Sequence, residues 1–175
     1  MKPDLSVKLG PLELANPVMT ASGTFGYGSE YEEFFDPSIL GAVVVKGVAP
    51  KPVHGNPTPR VAEVTSGMIN AIGLQGPGIE KFLHDDHYLP WLRKHNCKTI
   101  VNIWGKSVDD YRYVAERLDA DSDGIAALEI NVSCPNVKEG GISFSSDTAA
   151  MGKVIAAVRS ATKLPLITKL SPNVR

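Results

Sequence analysis

One short stretch of the sequence carries residue types that acid–base or nucleophilic chemistry requires. Cys134 follows a run of apolar and β-branched residues, 125–132, that predicts a buried strand. Pro135 comes next and ends the strand, because proline cannot donate to the hydrogen-bond ladder. Asn131 and Ser133 precede the thiol. In parallel α/β folds ligands bind at the carboxyl ends of strands, so a cysteine placed there can serve as a nucleophile or a base.

The other predicted strands also end in small or polar residues. In chain order, the ends carry Thr20, Ala21, Ser22 and Gly23, then Lys46 and Gly47, then Asn102, then Asn131 and Cys134, and finally Lys169 and Ser171. This set holds two lysines, two amides, a thiol and small residues that let a ligand approach the backbone. It suits a flat, polar, anionic ligand, such as a flavin with a small carboxylated partner. The residue types alone do not fix that ligand.

Each of these residues also has a purely structural interpretation. Cys134 could be an inert thiol of the core. Lys46 and Lys169 could be solvated surface lysines, although a lysine at the end of an apolar run more often points into a cleft. Asn102 and Asn131 need hydrogen-bond partners if they are buried, and the backbone could supply those partners as well as a ligand could.

Several common kinds of site have no sequence signature here. The sequence contains no P-loop and no dinucleotide-binding glycine motif. Its four histidines lie outside the predicted strand ends, and none belongs to a His/Cys cluster with zinc spacing. Trp91 and Trp104 are interpreted as packing residues. We therefore expect no metal site.

The bulk composition is that of an ordinary globular domain. Hydrophobic residues make up 43% of the 175 residues and charged residues 21%, and the net charge of −1 favours neither a nucleic acid nor a membrane surface as partner. Two isolated cysteines do not form a disulfide framework and fit a reducing cytoplasm. The sequence has no apolar signal core and no apolar run of about 18 residues. We expect one cytoplasmic domain.

The elements that would position these residues alternate along the chain. We predict a hairpin over residues 7–14, strands over 16–23, 42–47, 99–105, 125–132 and 164–172, and helices over 30–35, 79–94, 107–118 and 147–161. Ser29 is the expected N-cap of the first helix and Ser107 of the third, while Pro90 is expected to interrupt the second. Residues 49–77 form a proline-rich excursion that we expect to be functional. The pattern predicts about five parallel strands joined by crossovers.

Six segments, in order along the chain, resemble the class 1 dihydroorotate dehydrogenases, and within them the catalytic subunit of class 1B. They are residues 16–26, 45–47, 56–60, 67–75, 129–137 and 168–173. Each segment alone is a weak signal, but six in family order are specific and cover essentially the whole chain. The resemblance implies an α/β fold, an eight-stranded (β/α) barrel that carries FMN across the carboxyl ends of its strands.

The resemblance also implies roles for individual residues. FMN would contact Ala21, Ser22, Lys46, Gly47, Asn102, Asn131 and Lys169. Dihydroorotate or orotate would contact Lys46, Asn70, Ala71, Ile72, Gly73, Leu74 and Asn131. Cys134 would be the base that removes the C5 proton while a hydride leaves C6. Lys46 would pair with the substrate carboxylate, and Lys169 would stabilise negative charge on the reduced flavin.

Class 1B further implies a partner. A separate subunit carrying FAD and a 2Fe–2S cluster would pass electrons to NAD, in a heterotetramer of two catalytic and two electron-transfer subunits. A complete (β/α) barrel has about 250 residues, so residues 1–175 are expected to be the N-terminal part of one FMN-binding barrel, truncated after about the fifth strand. Two alternatives remain: a pyrimidine-reducing domain like that of dihydropyrimidine dehydrogenase, or an inactive fragment that acts only by association.

Overall fold

The computed structural model describes residues 3–132, 138–139, 142–143 and 147–170. The strands are β1 (Val7–Leu9), β2 (Leu12–Leu14), β3 (Val43–Val48), β4 (Val61–Val64), β5 (Gly67–Asn70), β6 (Thr99–Ile103), β7 (Ile125–Asn131), β8 (Lys138–Glu139), β9 (Ile142–Ser143) and β10 (Leu166–Lys169). The α-helices are α1 (Ile79–His84), α2 (Leu89–Lys94), α3 (Val108–Ala120) and α4 (Thr148–Ala161).

A parallel sheet of four strands positions the candidate site. Its spatial order is β3-β6-β7-β10, so strands that neighbour each other in space follow one another along the chain. Helical crossovers lie between successive strands. An open doubly wound sheet would reverse its strand order, whereas a (β/α) barrel keeps it. The described chain is therefore part of an α/β fold of the (β/α) barrel family, as predicted.

The two faces of this sheet bury different layers, because successive side chains of a strand point to opposite sides. The outer face packs against the helices, and its members include Val43, Val45, Val101, Ile103, Leu128 and Ile130. The inner face is covered by the β1–β2 hairpin, and this layer holds Leu12, Leu14, Ala42, Val44, Ile100 and Ala127, with Ile167 packed against it. The hairpin thus fills the inner side of the sheet with apolar groups.

Several predicted elements are confirmed. The hairpin over residues 7–14 turns at Gly10, which has a positive φ of 58° that glycine adopts without strain. Ser107 forms the predicted cap: its Oγ accepts a hydrogen bond from the Asp110 backbone N–H, and Asp110 completes a capping box. Asp147 caps α4 without a capping box, because its Oδ1 accepts from the backbone N–H groups of Ala149 and Ala150. Side-chain chemistry at these positions specified the local structure.

The predicted strand over residues 16–23 is wrong. The segment meets β3 only through an isolated bridge between Met19 and Ala42. The Thr20 hydroxyl donates to the Val44 carbonyl at 3.0 Å and accepts from the Val44 N–H at 2.8 Å. A side chain therefore takes the place of the backbone ladder, and the described sheet has four strands and a bridge rather than five strands.

The predicted helix over residues 30–35 is also wrong, as is the predicted break at Pro90. A 3₁₀ turn, Ser29–Tyr31, replaces the first helix, because the Ser29 hydroxyl donates to the distant His87 carbonyl instead of capping it. The second helical stretch does divide, but before the proline, since α1 ends at His84 and Pro90 lies in the first turn of α2. Proline has no backbone N–H. It is tolerated in a first helical turn because the N–H groups of that turn have no partner within the helix.

The proline-rich excursion contains a hairpin that sequence patterning did not predict. Strands β4 and β5 pair antiparallel, and every residue in them is exposed. The predicted strand over 164–172 is described as β10 up to Lys169, and residues 171–175 lie outside the described part of the chain.

Candidate functional site

A cavity of about 140 Å³ lies at the carboxyl ends of the parallel strands. Its lining residues are Ser22, Gly23, Lys46, Gly47, Leu74, Gln75, Asn102, Trp104, Asn131 and Lys169. Most of the polar members follow from strand periodicity. Lys46, Asn102 and Lys169 each come two residues after an apolar member of the inner layer, namely Val44, Ile100 and Ile167. The inner face therefore changes from apolar to polar as the strands reach the cavity.

Lys46 is the cation of this cavity that lacks a countercharge. Among the residues that the structure describes, its ammonium has no hydrogen bond and no ion pair. Burial lowers the pKa of Lys46, and the nearby Arg60 guanidinium lowers it further. A half-buried, unpaired ammonium is an unfavourable arrangement that an anionic ligand would relieve.

Asn102 presents an unused acceptor to the same space. Its side chain is buried, and its Nδ2 donates to Glu129 Oε1 at 2.5 Å. Its Oδ1 is buried and has no hydrogen-bond partner within the described ranges. A Cβ at Gly47 would lie 3.0 Å from this oxygen and 2.7 Å from Trp104 Cδ1. Glycine at position 47 therefore keeps the approach to Asn102 open.

Lys169 connects the first and last parts of the site. Its Nζ donates to Ser22 Oγ at 3.0 Å and lies 3.9 Å from Glu129 Oε1. Ser22 is buried, although Ala21 before it is exposed and does not line the cavity. Charge on Lys169 is therefore held in place by a hydroxyl and a carboxylate.

The excursion reaches the cavity through its last residues. Asn56 fixes this segment, because its N–H donates to the Ile72 carbonyl at 3.0 Å and its Nδ2 to the Ala71 carbonyl at 2.7 Å. Arg60 donates to Gln75 Oε1. Leu74 and Gln75 line the cavity as a result.

A second cavity, of about 480 Å³, adjoins the first. It shares Lys46 and Gln75 with it, and Tyr27, His54 and Lys81 are among its other lining residues. The two cavities therefore lie on either side of Lys46 and Gln75.

The structure brings together seven of the residues predicted for the site: Ser22, Lys46, Gly47, Leu74, Asn102, Asn131 and Lys169. Five others do not line this cavity: Ala21, Asn70, Ala71, Ile72 and Gly73. Asn70 and Ala71 are exposed on the excursion. Cys134, the predicted base, lies outside the described residues, so its role stays a prediction. The other thiol, Cys97, is buried, and burial raises its pKa to about 11, which fits an inert structural cysteine.

Gly23, one of the small residues expected at the strand ends, also lines the cavity. Three neighbouring residues were not predicted as site residues. Gln75 and Trp104 line the cavity, and Trp104 also packs in the core, as expected for it. Glu129 contacts Asn102 and Lys169. The signal for Glu129 was present in the sequence, because an acidic residue inside an apolar strand, two positions before Asn131, shares the face of that asparagine.

The cavity fits a flat polar ring. Gly47 leaves space beside the backbone. The buried Asn102 Oδ1 can accept a hydrogen bond from an N–H group of a ligand, and the Lys46 ammonium can pair with an anionic group. These features match the FMN that the sequence resemblance implies. No group of three or more potential metal-binding side chains occurs within the described part of the chain.

The sequence is similar to known proteins over nearly its whole length. The family model described as dihydroorotate dehydrogenase matches residues 4–175. A protein of Pelobacter propionicus named dihydroorotate dehydrogenase B (NAD(+)), catalytic subunit, is 55% identical over 174 residues, which are 99% of this chain and 56% of that protein. The protein of the same name from Desulforamulus reducens is 52% identical, with the same coverage. The chain thus spans little more than half the length of these relatives.

Solved structures lead to the same fold. The DHODH of Eimeria tenella in complex with ferulenol superposes with a TM-score of 0.73 at 25% identity, over 99% of this chain and 54% of that one. The ligand-free type DHODH of the same organism has a TM-score of 0.72 at 23% identity. Within the described residues, no helix is long and apolar enough to cross a membrane. By its sequence and its fold, this chain belongs to the dihydroorotate dehydrogenase family.

Proposed function

We propose that the protein carrying this sequence oxidises dihydroorotate to orotate in de novo pyrimidine synthesis, with FMN as its cofactor. The observation that carries the proposal is the cavity itself. An unpaired Lys46, an unsatisfied Asn102 oxygen and a held Lys169 face one space beside Gly47, in a member of this family. When bound, FMN supplies the acceptor for the hydride that leaves C6 of dihydroorotate.

Four side chains that line the cavity each have a separate role in this proposal. Lys46 binds the substrate carboxylate, because it is the unpaired cation at the junction of the two cavities. Asn131 offers amide groups to the pyrimidine edge. Lys169 places positive charge beside the ring system, where it stabilises negative charge that develops on reduction. Leu74, from the excursion, contributes an apolar contact that helps to exclude water.

Cys134 is the proposed base for the C5 proton. It follows the inner-face residue Asn131 by three positions, and a thiolate is competent for proton abstraction at neutral pH if its surroundings favour ionisation. The thiolate would take the C5 proton and become a thiol, while the C6 hydride would go to the acceptor that FMN supplies, so that the C5–C6 double bond of orotate forms. Cys97 has no part in this chemistry, since it is buried and its raised pKa keeps it protonated.

We further propose a partner subunit. The relatives are named as NAD(+)-linked catalytic subunits, which supports a separate electron-transfer subunit. In this proposal that subunit carries FAD and a 2Fe–2S cluster, passes electrons to NAD, and forms a cytoplasmic heterotetramer with two copies of each chain. Co-expression with an electron-transfer protein that carries FAD and a 2Fe–2S cluster tests it. A stable two-plus-two complex that reduces NAD is expected, and a catalytic chain that stays alone and inactive with NAD would overturn the proposal.

The decisive experiment uses the complete protein that contains this sequence. We expect it to purify with a flavin absorbance spectrum and to bleach on anaerobic addition of dihydroorotate. Cys134→Ser should lower the bleaching rate at pH 7 by about 10²- to 10⁴-fold, the usual contribution of a general base, whereas Cys97→Ala should not. Full activity of Cys134→Ser at pH 7 would exclude the base assignment. A preference for uracil over orotate would favour a dihydropyrimidine dehydrogenase-like domain, and a stable, flavin-free oligomer would favour association alone.

A further inference from the structure

Glu129 lies at the centre of a polar chain that crosses the carboxyl ends of the strands. Its Oε1 accepts from Asn102 Nδ2 at 2.5 Å and lies 3.9 Å from Lys169 Nζ, which in turn donates to Ser22 Oγ at 3.0 Å. The Glu129 side chain is 14% exposed, so these contacts are largely shielded from solvent. Its position is fixed from both sides, by an amide on β6 and an ammonium on β10.

This arrangement determines which end of the Asn102 amide faces the cavity. An ionised carboxylate can only accept hydrogen bonds, so it must be met by the amide NH₂ group and not by the amide oxygen. The Lys169 ammonium, 3.9 Å from Glu129 Oε1, places the complementary charge beside this carboxylate. Asn102 is 1% exposed, which leaves it no solvent to compensate the reversed orientation.

The opposite end of the amide is therefore an acceptor without a donor. Asn102 Oδ1 has no hydrogen-bond partner among the described residues, and it lies beside Gly47, where the absent Cβ leaves space. Buried carbonyl oxygens are rarely left unpaired in native proteins. A ligand that fills this space is best matched if it presents an N–H group to Asn102.

We propose that Glu129 is a positioning residue that fixes the Asn102 carbonyl oxygen toward the cavity and thereby selects ligands with an imide N–H. This inference rests on the proposed function and extends it, because flavins and oxidised or reduced pyrimidines both carry an N–H between two carbonyl groups. The shared chemistry is the imide, and matched ligands identify which ring supplies it.

The test compares each ring with its N3-methyl derivative, which has lost the imide donor. Binding of FMN, 3-methyl-FMN, orotate and 3-methylorotate is measured by fluorescence quenching or calorimetry on the complete protein, the flavins with the apoprotein and the pyrimidines with the FMN-loaded form. Wild-type protein should bind one parent ligand about tenfold more tightly than its methyl derivative, the size expected for one buried hydrogen bond. The ring that shows the difference is the one that faces Asn102.

Glu129→Gln tests the positioning role, because glutamine can bond to either end of the Asn102 amide. We expect it to weaken binding of the discriminated parent ligand about five- to tenfold while its methyl derivative changes less than twofold. A purely structural role would weaken both ligands alike. Glu129→Asp restores a carboxylate and should recover part of the discrimination.

Each remaining outcome is decisive. Equal affinity of wild-type protein for parent and methyl ligands overturns the inference even if no variant folds, and so does unchanged discrimination in Glu129→Gln. If FMN fails to bind wild-type protein at all, the proposed function fails, while the orotate pair still tests Glu129 separately. If neither ring binds, both proposals are excluded.

Discussion

Lys169 Nζ lies 3.0 Å from Ser22 Oγ, although 147 residues separate the two in the sequence. Ser22 belongs to the irregular segment that follows the Met19–Ala42 bridge, beside β3 at one edge of the sheet. Lys169 ends β10 at the other edge. The contact therefore joins the two edges of the four-stranded sheet across its inner face, and the candidate site lies between them.

Lys169→Met should weaken flavin binding while leaving the fold intact. The substitution keeps an unbranched side chain but removes the ammonium that Ser22 and Glu129 hold in place. Loss of a charge-assisted hydrogen bond predicts about a 10- to 100-fold increase in the Kd for FMN. Fluorescence titration of the apoprotein measures it.

The matched control for that experiment is Lys153→Met, since Lys153 is an exposed lysine of α4. We expect its Kd for FMN to equal that of the wild type. Equal Kd values for Lys169→Met and Lys153→Met would show that Lys169 does not act on the ring.

Local side-chain signals explain what could be predicted from the sequence. Ser107 and Asp147 specified helix starts, and alternation along the strands placed Lys46, Asn102 and Lys169 beyond the apolar layer. Such features depend on residues within a few positions of each other, and these can be recognised without knowledge of the tertiary structure.

The failures share a different cause, which is contact across long sequence distances. The Thr20 hydroxyl forms hydrogen bonds with the Val44 backbone in place of a strand ladder. The Ser29 hydroxyl donates to the carbonyl of His87, 58 residues away. The contacts of Glu129 form only when β6 and β10 lie on either side of β7. None of these partners can be read from local propensity, because tertiary contacts decide them.

Gly47→Ala should close the site and destabilise the protein. The added Cβ would lie 2.7 Å from Trp104 Cδ1 and 3.0 Å from Asn102 Oδ1, and both neighbours are buried. Overpacking of this kind costs about 1–3 kcal/mol of unfolding free energy. Urea unfolding measures that loss, and flavin titration should show weaker binding.

Gly152→Ala is the corresponding control, because a Cβ there meets nothing within 4 Å and the residue lies inside α4. It should stabilise the protein by about 0.5–1 kcal/mol, the usual difference between alanine and glycine in a helix. If Gly47→Ala were as stable as wild type and bound flavin equally well, the close approach at Gly47 would have no functional consequence.

Tyr111→Phe should loosen the end of β7. The Tyr111 hydroxyl is carried by α3 and donates to the Asn131 carbonyl at 2.7 Å from a fully buried ring. Its removal should cost about 1–2 kcal/mol, seen as a Tm about 2–8 °C lower for a domain of this size. Tyr113→Phe is matched, since Tyr113 is 43% exposed and its hydroxyl lies 3.5 Å from Glu80. We expect the Tyr113 variant to stay within about 0.5 kcal/mol of wild type, and an equal loss in both variants would contradict the assignment.

Lys46→Met should weaken orotate binding and stabilise the fold of the ligand-free protein. Burial and Arg60 lower the pKa of Lys46, so the folded protein holds this proton less tightly than the unfolded chain does. The ammonium therefore destabilises the fold at neutral pH, and the penalty disappears as the pH rises past the unfolded value of about 10.4. Thermal unfolding of the ligand-free protein should show a higher Tm for Lys46→Met at pH 7, and this difference should shrink as the pH rises toward about 10.4. Orotate affinity should fall about tenfold or more with the loss of a charge-assisted contact. Lys51→Met, at an exposed lysine of the proline-rich excursion, should change neither quantity. If Lys46→Met bound orotate as tightly as wild type, the carboxylate would lie elsewhere.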